Sequence, residues 1–214
     1  MPARAVTRLR ARGQALSLAA LAALWPGLGC GGDDHADEPE PEPEPEIDPR
    51  HQVEAALADI HDALPGDLAE AVRFHTRALE GGELYGALPE GWESGHLDWS
   101  LRPPEDADLG FQTQYGVGFG CAGACEPKDW DSAIVHTEFA QYRASERFEI
   151  LRDERIGRGS RIVTALRNET IYVTAAWWQE GASRYAFCRA TLDGPAAEAR
   201  EAFERACLAT HPEL

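Results

Sequence analysis

The chain has 214 residues, of which 37 are acidic and 20 basic, for a formal charge of −17. Once a leader and a linker are set aside, about 164 residues remain, enough for one domain with a real core and too few for two of ordinary size. The acidic balance argues against nucleic acid and anionic lipid headgroups as partners, because like charges repel.

Residues 1–29 have the three-part shape of a secretory leader. Arg4, Arg8, Arg10 and Arg12 make a basic start, an apolar run extends from Ala15 to Trp25, and small residues follow. About 20 apolar residues are needed to span a bilayer as a helix, so the run reads as a cleavable signal and not as a permanent anchor. Loss of the leader would make the mature chain more negative still, about −21. The stretch Gly27-Leu28-Gly29-Cys30-Gly31 resembles the lipobox of bacterial lipoproteins, although the usual pattern has leucine where Gly27 stands and a small residue where Leu28 stands. The resemblance implies that Cys30 becomes the first mature residue and carries lipid. In a two-membrane cell, Gly31 after the cysteine further implies sorting to the outer membrane. Residues 30–50 then form an acidic linker whose Glu-Pro alternation, Glu38-Pro39 to Pro45-Glu46, excludes helix and sheet. Proline removes the backbone donor and adjacent carboxylates repel, so the linker serves reach, at about 3.1 Å per residue. The alternative for Asp33, Asp34 and His35, a cation buffer, lacks defined ligand geometry.

Residues 51–214 are expected to form one α+β domain, an antiparallel meander flanked by helices with the C-terminal helix packed on the sheet. From His51, Val53, Ala56, Leu57, Ile60 and Leu64 recur at helical spacing, and Pro65-Gly66 ends the run. Residues 67–80 are readable two ways. Asp67 and Glu70 suit a capped helix, whereas Val72, Phe74, Thr76 and Ala78 alternate with Arg73, His75 and Arg77 as a strand would. We favour the strand, turning at Glu80-Gly81-Gly82 into a second strand over Leu84–Leu88. Pro127-Lys128-Asp129-Trp130 opens a short helix through Ile134. Four runs rich in β-branched and aromatic residues follow, Phe148–Leu151, Arg161–Leu166, Thr170–Trp178 and Arg184–Thr191, separated by Gly157–Gly159, Asn168-Glu169 and Glu180-Gly181. Asp193-Gly194-Pro195 then starts a helix with Ala199, Phe203, Ala206 and Cys207 on its apolar face. The adjacent pairs Trp177-Trp178 and Phe187-Cys188 make the sheet apolar on both faces, so both faces need cover.

Besides Cys30, the chain has Cys121, Cys125, Cys188 and Cys207. An even number in an exported domain predicts two disulfides with three connectivities open. We prefer Cys188 with Cys207, because a strand and the helix that follows it bring such residues within bridging distance, leaving Cys121 to Cys125 across a Gly-rich loop. A metal or redox site at Cys121–Cys125 lacks a nearby histidine and the two-residue spacing of thioredoxin-like motifs. In the same loop, Gly118, Gly120 and Gly123 match the dinucleotide fingerprint in form, but no helix opens there, so a glycine-permitted turn is expected. His35, His51, His61, His75, His96, His136 and His211 show no ligand spacing, with His61 read as part of a solvated helix face. Asp106 with Asp108, and Asp129 with Asp131, are acid pairs that so acidic a chain produces by chance; Ser132 and Ser160 sit in no nucleophile motif. Asn168-Glu169-Thr170 reads as a hairpin turn. Trp177 and Trp178 are the candidate binding side chains, one ring expected in the core and the other facing the second layer or a groove.

The stretch Leu88-Pro89-Glu90-Gly91-Trp92 at a strand end, followed by a meander and a terminal helix, resembles the PsbP-like group of secreted α/β/α domains. That resemblance implies an assembly factor or binding module. The expectation is therefore a non-enzymatic lipoprotein of the cell envelope, held to the membrane by its N-terminal lipid, with no cofactor, no metal and no nucleic acid, and with an envelope protein or glycan as partner. The competing expectation is an extracytoplasmic hydrolase or metal-dependent enzyme whose site is assembled from residues distant in sequence.

Overall fold

The computed structural model describes residues 48–95, 100–121, 125, 129–134 and 138–212. Cys30, the leader and nearly all of the linker lie outside the described residues, as do Gly123, His96 and His136.

The first helix, α1 (Pro49–Asp62), starts two residues before the periodic run. The Asp48 carboxylate accepts from the Arg50 amide at 2.9 Å, and Pro49 occupies the first turn, where its missing N–H costs nothing. Val53 and Ile60 are its fully buried residues. Residues 65–72 make tight turns, with the Val72 amide donating to the Leu68 carbonyl at 2.8 Å. Strand β1 (Phe74–Leu79) then pairs antiparallel with β2 (Leu84–Pro89), as favoured from the alternation. Between them Glu80, Gly81 and Gly82 all take positive φ, which two glycines make accessible.

Short strands β3 (Glu93–Ser94) and β4 (Ser100–Arg102) precede β5 (Gln114–Gly120), which the sequence did not announce. Here the expectation of a glycine turn is corrected: Gly118 and Gly120 sit within a strand. Gly120 is required by close approach, because a Cβ there would lie 2.5 Å from the Tyr185 ring. Short helices α2 (Trp130–Ile134) and α3 (Ala140–Arg143) lead into β6 (Glu149–Gly157), β7 (Ser160–Arg167), β8 (Thr170–Trp177) and β9 (Tyr185–Leu192). Asn168 and Glu169 both take positive φ, the conformation of a two-residue hairpin turn between β7 and β8. A 3-10 turn at Gly194–Ala199 feeds α4 (Arg200–Leu208), and β10 (His211–Pro212) closes the described chain.

The strands form two antiparallel sheets, one ordered β1-β2-β10 and the other β3-β4-β5-β9-β8-β7-β6. Alternation along β8 and β9 explains the layers on the larger sheet. Ile171, Val173, Ala175, Ala186, Cys188 and Ala190 face a core shared with α1, α4 and the small sheet. Ala176, Trp178, Tyr185 and Phe187 face a second core formed by Trp130, Ile134, Phe139 and Tyr142. Both faces are thus covered, and the fold is α+β with the C-terminal helix packed on the sheet. On the first face Phe203 of α4 meets Phe74, Tyr115 and Trp92 at ring-centroid distances of 5.3, 5.7 and 5.9 Å. Glu204 on the same helix accepts from the Thr164 hydroxyl at 2.7 Å and from Arg152 at 3.1 Å, which satisfies a carboxylate buried against β6 and β7.

Burial raises the phenol pKa of Tyr115, Tyr142 and Tyr185, and for Tyr185 the neighbouring Glu138 carboxylate adds to the effect. For Tyr115 the burial outweighs the opposing influence of the nearby Thr210 hydroxyl. A raised folded pKa means that these phenols favour the fold while neutral. Their contribution is complete below the unfolded value of about 10 and is lost as pH climbs from there towards the folded values. Urea midpoints measured from pH 8.5 to 11.5 are expected to stay level and then to fall steeply above about pH 10, together with phenolate absorbance. A flat profile through that range would contradict the burial of these three rings.

Candidate binding surface

The two adjacent tryptophans point to opposite faces. Trp177 is partly buried against the core of α1 and α4, while Trp178, 8% exposed, joins the core of α2 and α3. The Trp178 indole N–H donates to an Asp131 carboxylate oxygen at 2.8 Å, and Arg155 reaches the same carboxylate at 3.0 and 3.2 Å. The Trp178 hydrogen bond, followed by that from Arg155, holds the Asp131 carboxyl below its usual range. Gly159 passes so close that a Cβ would lie 2.1 Å from the Trp178 carbonyl oxygen. The recess beside this arrangement, about 580 Å³, is lined by Asp131, Arg158, Gly159, Trp178, Gln179 and Glu180. Of its two carboxylates, Asp131 is already engaged in holding the indole, so the role of that residue is first structural.

Both preferred disulfides are present. Cys188 and Cys207 bridge β9 to α4 with a Cα separation of 5.3 Å, and Cys121 and Cys125 bridge the end of β5 with a separation of 4.7 Å. The sulfurs of the Gly-rich loop are therefore bonded to one another. Among the described residues no group of three or more His, Cys, Asp or Glu side chains is arranged to hold a metal ion. His61 differs from the solvated reading, since its Nε2 accepts from the Phe74 amide at 2.9 Å and joins α1 to β1. Asp129 accepts from the Ser132 hydroxyl at 2.9 Å, a local contact at the start of α2.

Sequence reasoning missed two features. The first is a buried ionic cluster in the second core. Glu138, 2% exposed, accepts from the Tyr185 hydroxyl and from the Arg189 guanidinium, whose Nε lies 3.1 Å from one oxygen and whose Nη2 lies 2.7 Å from the other. Arg189 also lies over the Phe187 ring at 4.4 Å. No periodic pattern links Glu138 to residues about fifty positions away.

The second is Phe111, whose side chain is 90% exposed. Its loop is tied down on both sides. The Thr113 hydroxyl donates to the Leu109 carbonyl at 2.6 Å and accepts from the Asp193 amide at 3.1 Å. Gly110, with φ of 97°, passes so near the Asp193 carbonyl that a Cβ would lie 2.2 Å from its oxygen. Leu109 is 2% exposed and anchors the loop in the core. An aromatic ring is thus displayed in water by a backbone that has little freedom to withdraw it. Two recesses flank it. One of about 470 Å³ is framed by Pro103, Pro104 and the acids Glu93, Glu105 and Asp108. The other, about 230 Å³, lies against Gln112, Gln114, Tyr172 and Thr191, and both recesses touch Arg102 and Phe111. The only trace in the sequence is a turn glycine placed before an aromatic residue in a polar stretch.

No protein-family model matches the chain, and no curated protein matches it. Among solved structures, the Ran-binding protein Mog1p of Saccharomyces cerevisiae aligns with a TM-score of 0.44 and 9% identity over 66% of this chain and 96% of that one. A point mutant of Mog1 aligns with a TM-score of 0.43 and 9% identity over 65% and 96% of the two chains. At this level of likeness neither structure bears on what this chain binds.

Proposed function

We propose that the protein is a lipid-anchored envelope lipoprotein whose domain binds or scaffolds another envelope component through the surface around Phe111. The exposed Phe111 ring carries this reading: its loop is held so that the ring stays out of the core, and it stands between two recesses, where an aromatic side chain can serve as an anchor for a partner. The lipobox-like Cys30, the acidic tether and the PsbP-like sequence pattern support it from the sequence side.

A benzophenone amino acid placed at Gln112 tests the surface in intact cells of the source organism. Irradiation is expected to give a discrete adduct that disappears in the Phe111→Ala background. Phe111→Ala should leave folding stability within about 0.5 kcal/mol, because the ring makes little contact with the domain. An unchanged adduct pattern without Phe111, or no adduct under any growth condition, would count against the surface. Anchoring has a separate readout: Cys30→Ala is expected to move the protein from the membrane to the soluble fraction and to remove acyl mass from the mature N-terminal peptide. A soluble wild-type protein with unmodified Cys30 would overturn that part.

A further inference from the structure

The smaller recess beside Phe111 differs in lining from the larger one, which shares Arg102 and Phe111 with it but is framed by Glu93, Glu105 and Asp108. Arg102, Phe111, Gln112, Gln114, Tyr172 and Thr191 line the smaller recess, with no carboxylate among them, in a chain of 37 acidic residues. Sheet register explains how residues so far apart in sequence meet. Gln114 pairs with Thr191 and Thr191 with Tyr172, so their side chains form one row across β5, β9 and β8. Arg102 extends that row onto β4, one residue beyond the pair of Leu101 with Tyr115. Its Nε is buried and has no hydrogen-bond partner among the described residues, although Glu93 is its cross-strand neighbour on β3. The side chain as a whole is only partly buried and lines the recess, where the outer nitrogens of the guanidinium are the donors a ligand would meet.

We propose that this trough binds an acidic carbohydrate, with the Arg102 guanidinium taking the sugar carboxylate, Phe111 and Tyr172 offering flat faces to the C–H side of the ring, and Gln112, Gln114 and Thr191 meeting its hydroxyls. Arginine matches a carboxylate through a planar fork of donors. Primary amides both donate and accept, as does a hydroxyl, which suits the mixed demands of sugar hydroxyl groups. An acidic peptide fits less well. The floor is a sheet face whose main-chain groups are used in pairing between strands, whereas an extended peptide gains its backbone hydrogen bonds at a free sheet edge. The volume, about 230 Å³, is below the 300–1,000 Å³ of drug-sized pockets and is suited to a single ring at the end or along the side of a chain.

This inference rests on the reading of Phe111 as part of a binding surface and narrows the ligand class. The test applies the purified full chain to an array carrying oligosaccharides with uronic, sialic or muramic acids, their neutral counterparts and acidic peptides. Binding to at least one acidic glycan is expected, with neutral counterparts blank. Arg102→Gln and Phe111→Ala should each weaken it by about tenfold or more, while Arg143→Gln, whose side chain pairs with Asp153 outside the trough, should leave it unchanged. Near-ultraviolet circular dichroism identifies any variant that has lost its tertiary packing. Should Arg102→Gln prove misfolded, Gln114→Ala supplies the same readout from the floor of the trough. Equal binding of neutral glycans, preference for acidic peptides, insensitivity to the trough variants or a blank array would each overturn the proposal. A blank array alongside a persistent Phe111-dependent crosslink would remove the carbohydrate and leave the docking surface standing.

Discussion

Glu138→Ala is expected to destabilise the domain by about 3 kcal/mol, the lower end of what breaking a buried ion pair costs. The lower end applies because the Arg189 side chain retains 33% exposure and water partly screens it once its partner is gone. The Tyr185 hydroxyl has no such relief, since it lies buried beneath the helical layer with Glu138 as its acceptor. Removing both ends of the ion pair, as in Glu138→Leu with Arg189→Met, should recover part of the loss, because the charge imbalance is gone while the Tyr185 hydroxyl still lacks its acceptor. Urea unfolding with an unchanged slope measures both effects. A single-variant loss under about 1 kcal/mol would mean that the cluster is wet and contributes little to seating α2 and α3 on the sheet.

The disulfides should separate sharply in a second experiment. Cys188 and Cys207 are fully buried and close a loop of sequence separation 19, whereas Cys125 is exposed and its bridge to Cys121 spans a separation of 4. On chain entropy alone the longer loop is worth about 3 kcal/mol and the shorter about 2 kcal/mol. The double variant of Cys188 and Cys207 to alanine is expected to lose somewhat more, because removing two sulfurs leaves voids between β9 and α4. Mild reductant applied to the native protein, followed by alkylation and mass measurement, should label Cys121 and Cys125 first. Cys188 and Cys207 should remain protected until the domain unfolds. Simultaneous labelling of all four would show that α4 leaves the sheet far more readily than its buried Phe203 and Cys207 imply.

Both experiments act on contacts of different visibility in the sequence. The bridge from Cys188 to Cys207 was readable because a strand and the helix after it are neighbours in the chain, and sequential elements usually pack together. The helix α1 and strands β7 to β9 were readable for a related reason: periodicity reports which side of an element is apolar, and Asn168-Glu169 carries its own turn chemistry. Strand β6 was only half readable. Its charged centre, Arg152 to Arg155, looks like a loop, yet charge is how a sheet edge is kept from pairing with other chains. Strand β5 was hidden by Gly116, Gly118 and Gly120, residues of low strand propensity. Its place between β4 and β9 is a pairing between distant segments, which local composition does not encode.

The disputed stretch before β2 shows the same division at close range. Its alternation correctly indicated β1, but residues 65–72 also make helical turns, so each of the two readings described a part of it. The acidic neighbours of His61 suggest a solvated side chain, and only the return of β1 over α1 gives its Nε2 an amide to accept from. Phe111 was invisible as a feature because exposure is a property of the assembled surface, and one phenylalanine in a polar stretch is equally compatible with a core contact.

The leader, the lipobox-like Cys30, the Glu-Pro tether and the acidic balance are expectations that need no folded domain, since each depends on residue type and local order alone. The sequence likewise determined the two-sided sheet, because adjacent large apolar residues such as Trp177 and Trp178 must point to opposite faces of a strand. Which layer would cover each face was decided only by tertiary structure. So were the ion cluster at Glu138 and the row running from Arg102 to Tyr172, because these join residues whose proximity comes from strand order and register. Local preferences operate over a few residues, whereas a binding surface on a sheet is assembled across strands that the chain visits far apart in sequence.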